Sequence, residues 1–185
     1  MNTARRLIVA LALVASLAAS GSALADLLAF GAHLSAGEEV MPVGIINNSR
    51  AQGQALFELS PDGTELHYKL IAANIENAFM AHIHIGAAGA NGPIAVWLFP
   101  STTPNAPGPL GAGRTNGVLA EGTITAANFV ATGPLGGQPL SALIDAIQAG
   151  NAYVNVHTNN GVAPTNTGPG DFPGGEIRGQ LSERD

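Results

Sequence analysis

The sequence predicts an all-β protein, an antiparallel β-sandwich of about eight strands with one short helix. Three observations lead there. Short runs alternate apolar and polar residues with the period of two that a half-wet strand requires. Punctuation between them is dense, with 24 Gly and 12 Pro in 185 residues, as expected of short strands joined by turns rather than of alternating βα units. Only one segment carries a helical period.

The strands are expected, in order, over Leu27–Leu34, Gln52–Leu59, Glu65–Ala73, Met80–Ile85, Ile94–Phe99, Gly117–Ile124, Ala152–His157 and Glu176–Leu181. Ala55-Leu56-Phe57-Glu58-Leu59 and Leu66-His67-Tyr68-Lys69-Leu70 interleave polar with apolar side chains, as on a sheet with one wet face. The link Ser60-Pro61-Asp62-Gly63-Thr64 has Pro, Asp and Gly in turn order, so those two runs should form a hairpin. Leu140, Leu143, Ile144 and Ile147 recur at i, i+3, i+4 and i+7 ahead of Gly150. That spacing predicts an amphipathic helix starting near Ser141 and capping the sandwich. Pro100–Asn116 and Thr158–Gly175, rich in Gly, Pro, Thr and Asn, read as long surface loops. No repeat and no second domain is evident.

The first 25 residues read as a secretory signal peptide. Arg5 and Arg6 form a positive start, Leu7–Leu17 is apolar and Ala23-Leu24-Ala25 is an A-x-A cleavage pattern. The apolar run is shorter than the roughly 20 residues a membrane span needs, so cleavage before Asp26 is expected, leaving a domain over residues 26–185 and no transmembrane anchor. Losing Arg5 and Arg6 leaves five basic residues against 13 acidic ones, a net charge of −8. A surface of that sign does not neutralise phosphates, which excludes nucleic acid as a partner. The expected address is secreted or periplasmic. The chain has no cysteine, which excludes disulfides, thiol nucleophiles, Fe–S clusters and thiolate metal sites even in an oxidising compartment. A metal would have to be held by His, carboxylate or carbonyl oxygen.

The pattern richest in chemistry is Met80-Ala81-His82-Ile83-His84-Ile85-Gly86, followed by the Gly-rich turn Ala87–Pro93. Residues two apart on a strand share a face, so His82 and His84 project together, about 7 Å apart along the strand, while Ala81, Ile83 and Ile85 face the core. Tyr153-Val154-Asn155-Val156-His157 repeats the arrangement: Val154 and Val156 point inward, and Tyr153, Asn155 and His157 share the outer, wetter face. If the two strands are neighbours, three imidazoles meet, and three His with an open position suit copper(II) or zinc. The competing expectation is that these histidines hydrogen-bond loop backbone and hold the Gly-rich turn in place. Nitrogens converging to within about 4 Å, the reach of two metal–nitrogen bonds near 2 Å, would favour a shared ion.

Glu39 could ligate the ion or orient an imidazole, the plainer expectation being a solvated loop acid. Glu176 shares a face with Arg178 on the last strand, where cross-strand ion pairs are expected; it is the other carboxylate placed behind the histidines. His67 reads as an ordinary outer-face residue and His33 lacks an evident partner. G-x-S-x-G, H-E-x-x-H, Walker A and dinucleotide motifs are all absent from the sequence, and no catalytic residue is assigned.

Four ordered motifs together resemble the CHRD domain, the repeat named after chordin and also found singly in secreted bacterial proteins. They are Leu34–Val43, Ala81–His84 with Gly89–Pro93, Gly150–Thr158 and Gly174–Leu181. The chain departs from the family pattern at Ala36, usually Gly, at Met41-Pro42, usually a Pro pair, and in its longer Thr158–Gly175 loop, which suggests an added element over the His157 end. The resemblance implies an immunoglobulin-like β-sandwich and little about activity. The chain is read as a binding or structural module whose Gly-rich loops, or the longer Thr158–Gly175 loop, contact a protein or glycan partner in the cell envelope or exterior. A fainter likeness is to Cu/Zn superoxide dismutase, another β-sandwich, where His82, His84 and His157 look like three copper-holding histidines. No His lies between His84 and His157 to bridge a second metal. The alternative this likeness implies is a copper- or zinc-dependent redox or hydrolytic enzyme.

Overall fold

The computed structural model describes residues 28–103 and 105–184; the signal peptide expected over residues 1–25 lies outside them. Among the described residues nine strands form: β1 (Ala29–Ser35), β2 (Gln52–Leu59), β3 (Leu66–Glu76), β4 (Ala78–Ile85), β5 (Ile94–Phe99), β6 (Arg114–Ile124), β7 (Ala152–Thr158), β8 (Ile177–Gln180) and β9 (Ser182–Glu183). They build one sheet in the order β5-β4-β7-β8-β1-β2-β3-β6, with β9 on β1 and every pairing antiparallel. The sheet curls nearly into a barrel, so that β3 reaches across to β5, where the Tyr68 hydroxyl donates to the Leu98 carbonyl at 2.7 Å.

Alternation explains most of these strands. In β2 and β3 the residues Ala55, Phe57, Leu66, Tyr68 and Leu70 are buried while Glu58, His67 and Lys69 are exposed, and the Ser60–Thr64 link closes the predicted hairpin in register Leu59↔Leu66. Asp62 anchors that turn by accepting from the Ser60 and Thr64 hydroxyls. The helix α1 (Leu140–Gln148) buries Leu140, Leu143, Ile144 and Ile147 as its period requires; it starts at Leu140, beside the expected Ser141, and Gly150 follows it with φ 71°. Among the described residues no helix is long and apolar enough to cross a membrane.

The expected wet face of β4 and β7 is not wet. Every residue of β7 is buried. Its inward side, Val154 and Val156, joins the core with Ala81 and Ile83, and its other side lies under the segments 86–93 and 158–176. The second of these was expected as a surface connection, yet Asp171 and Phe172 are only 1% and 0% exposed, and Glu176 ties it down by accepting from the Thr158 hydroxyl and the Gly170 amide. A polar strand face has thus become the floor of a covered layer.

Candidate metal centre

The pairing of β4 with β7 positions the histidines. Its register sets Met80 opposite His157, His82 opposite Asn155 and His84 opposite Tyr153, so residues 75 positions apart in sequence share one face. Against β5 the register slips just before His82 and again just before His84, irregularities of the kind that re-aim side chains beside functional sites. The outcome is that one ligating nitrogen from each of His82, His84 and His157 lies within 4.8 Å of the other two. The closest approach is 3.0 Å, from His82 Nδ1 to His157 Nε2. The 4.8 Å limit is wider than the expected 4 Å; three nitrogens bonded to one ion at about 2 Å stand roughly 3.3–3.5 Å apart, so an ion would draw the widest pair together by up to about 1.5 Å.

Hydrogen bonds assign the protons. His84 Nδ1 lies 2.9 Å from the Gly92 carbonyl and His157 Nδ1 2.9 Å from that of Pro173; a carbonyl only accepts, so both nitrogens carry hydrogen and both Nε2 atoms present lone pairs. His82 Nδ1 then donates to His157 Nε2, and the buried Nε2 atoms of His82 and His84 have no protein partner. The expectation that these histidines hold loop backbone is met by His84 and His157; histidines that bind a metal typically donate their other nitrogen in the same way, so these bonds are compatible with a shared ion.

Burial keeps all three rings neutral. His82 is 0% exposed, His84 7% and His157 6%. Loss of hydration, with the neighbouring imidazoles, pushes His82 down to about 2. Burial, opposed by the Pro173 hydrogen bond, pushes His157 down to about 4. His84 is lowered by burial first, with Arg178 adding to the effect. Neutral imidazole is the form that binds metal, so no proton need be driven off at neutral pH.

The walls are aromatic and cationic. Trp97 meets His82 edge-on with centroids 4.3 Å apart, and Tyr153 stacks on His84 at 4.8 Å and 7°. The Arg178 guanidinium lies 3.4 Å from the Tyr153 ring centroid. Arg178 is 1% exposed and donates to the Ala87 and Ala90 carbonyls and to Asn91 Oδ1. The ion pairing expected for Glu176 and Arg178 is thus replaced: Arg178 holds the Gly-rich turn, while Glu176 accepts from Ser49, Thr158 and Gly170. Gly92 is required where it stands, since a Cβ there would lie 1.8 Å from the Ile85 carbonyl oxygen.

Glu39 is not the solvated acid of the plainer expectation. Its Oε1 is buried without a partner, and Oε2 is 3.4 Å from Asn155 Nδ2. Burial raises its carboxyl to about 8 against the opposing pull of Arg178. Glu39 therefore touches the residue opposite His82 rather than an imidazole. His67 stays on the exposed face, bonded to Thr123, and His33 is also exposed. Trp97 and Gly92 were not singled out in the sequence; the slip in β4–β5 pairing that brings Trp97 onto His82 leaves no mark in the alternation.

The sequence model of the CHRD domain family matches residues 30–181 of the chain. No curated protein matches it.

Proposed function

The chain belongs to the CHRD domain family, and from that premise we propose that it is an exported binding module that holds a copper or zinc ion on His82, His84 and His157. One observation carries the reading: three buried, neutral imidazoles converge within 4.8 Å, with unpartnered nitrogens on His82 and His84. Buried polar atoms without partners are uncommon, and two in one cluster mark a place where another atom belongs. Asn155 with Glu39, and Glu176 through the segment it ties down, support the floor and lid around the ion. Calorimetric titration with Cu(II) and Zn(II) tests this. Binding tighter than about 1 μM is expected for one of them, falling at least roughly 100-fold in His82→Ala and His84→Ala. Weaker binding of zinc and of copper in both oxidation states by the unaltered chain, or affinity indifferent to both substitutions, overturns it.

The same reading takes the curled sheet as an immunoglobulin-like sandwich, with β5-β4-β7-β8 as one layer and β6-β3-β2-β1 as the other. The seam between β8 and β1 supports it, being a single pair, Ser35↔Arg178. A crystal structure with layers crossing at about 30° agrees with it; hydrogen bonding between β5 and β6 that closes a barrel does not. Export is tested by N-terminal sequencing of the protein outside the cytoplasm, with Asp26 expected first.

A second reading, contact with a protein or glycan partner, is favoured by Leu110 and Val162, which are 51% and 65% exposed where two long loops are joined by the Gly111 amide and the Asn159 carbonyl. Capture of the same partner by a Leu110→Ser, Val162→Ser variant would count against it.

A further inference from the structure

Three nitrogens leave a coordination shell incomplete, and the same face supplies a sulfur donor. Met80 stands two residues before His82 on β4, hence on its side of the sheet, and is the register partner of His157 on β7. Directly opposed residues of an antiparallel pair hold their Cβ atoms about 4.5–5.5 Å apart. Methionine's three rotatable bonds let its sulfur cover such a span. The irregularity in β4–β7 pairing falls between Ala78 and Met80, where it alters the aim of this residue. Met80 is half-buried while the three histidines are buried, so this position of the face is the one nearest to solvent access.

The other residues of the face are only partly engaged, the buried Asn155 Oδ1 having no partner. Tyr153 Oη accepts from the Gly92 amide, and Asn155 Nδ2 is directed to Glu39. The neutral donors of the face are therefore the three imidazoles, the Met80 sulfur and the Asn155 amide oxygen, with no carboxylate among them. A buried guanidinium stands behind it, in the stack Arg178–Tyr153–His84. An uncharged donor set next to a fixed positive charge disfavours a divalent ion relative to a monovalent one. Thioether sulfur selects soft Cu(I) over Zn(II).

We propose that Met80 is the fourth ligand of the His82, His84 and His157 site and that the site selects Cu(I). The proposal rests on the metal-binding reading above and names its ion. The sequence contains two other methionines, Met1 and Met41, so Met41→Leu serves as the control. Leu conserves volume at these positions.

The test is anaerobic competition for Cu(I) against bicinchoninate, with X-ray absorption of the Cu(I)-loaded protein. The unaltered chain should withdraw Cu(I) from the chromophore and show a sulfur scatterer. Met80→Leu should lose the scatterer and at least roughly tenfold in Cu(I) affinity, since loss even of a ligand's hydrogen-bond partner costs that much. Its Zn(II) affinity should change less than about threefold, and Met41→Leu should behave as the unaltered chain. Cu(I) bound at the histidines with no sulfur scatterer, or with affinity indifferent to Met80→Leu, overturns this proposal and leaves the metal-binding reading standing. Failure to bind Cu(I), Cu(II) and Zn(II) overturns both.

Discussion

The half-buried Glu39, whose Oε1 is shut off from solvent, and the three buried histidines have protonation preferences that oppose each other. Burial raises Glu39 from 4.5 to about 8, so its contribution to stability is full below pH 4.5 and is lost as pH rises through 8. The histidines run the other way: unfolded, they take up protons below about 6.5 that the folded state refuses, so the metal-free fold loses stability as pH falls from there toward 4. Glu39→Gln keeps the shape and deletes the ionisation. Urea unfolding at pH 6 and pH 9 should show a smaller alkaline loss in Glu39→Gln than in the unaltered chain; equal losses would mean that Glu39 ionises freely when folded.

Among the elements, the segment from Gly86 to Pro93 does the most for the site. It supplies the carbonyl that fixes the His84 tautomer, it receives the three hydrogen bonds of Arg178, and it returns the chain to β5. Gly92→Ala must displace either the Ile85 carbonyl or this turn. It should lower stability by about 2–4 kcal/mol, a fall in melting temperature of roughly 5–15 °C, and weaken metal binding together with it. Arg178→Met leaves three acceptors of the turn unfilled while removing the buried charge. A loss of about 1–3 kcal/mol is expected in thermal melts, and a gain in stability would show that desolvating the guanidinium outweighs its bonds.

These elements also mark how far the sequence could be read. Gln52–Leu59 and Ile94–Phe99 were legible to the residue, and β6 begins three residues earlier than Gly117 because Arg114 is held by Glu76 and Asn74 of β3. The gathering of His82, His84 and His157 followed from period two and the pairing of their strands. Their burial did not follow, because alternation distinguishes polar from apolar sides and not wet from covered ones; the cover comes from loops whose contacts are made through backbone carbonyls. For the same reason Arg178 was assigned a carboxylate partner, since Ala87 and Ala90 offer only backbone oxygen. The two-residue β9 is too short to show a period.

On the scale of the whole molecule, a cysteine-free domain has no covalent cross-link, and an ion joining β4 to β7 would act as one. Ligand at 100 times its dissociation constant stabilises the folded state by about 2.7 kcal/mol. Thermal melts with excess Cu(II) or Zn(II) should therefore rise by roughly 5–10 °C, return to the metal-free value with a chelator, and stay flat in His157→Ala. A rise that persists in His157→Ala would place the ion elsewhere.

The contact between Trp97 and His82 has an optical consequence. The sequence has one tryptophan, so all indole emission of the folded chain originates at the edge of the His82 ring. A paramagnetic ion bound there should darken the protein, while a closed-shell ion should change its brightness far less. The unlabelled molecule thus reports both occupancy and the electronic character of its occupant in a single spectrum.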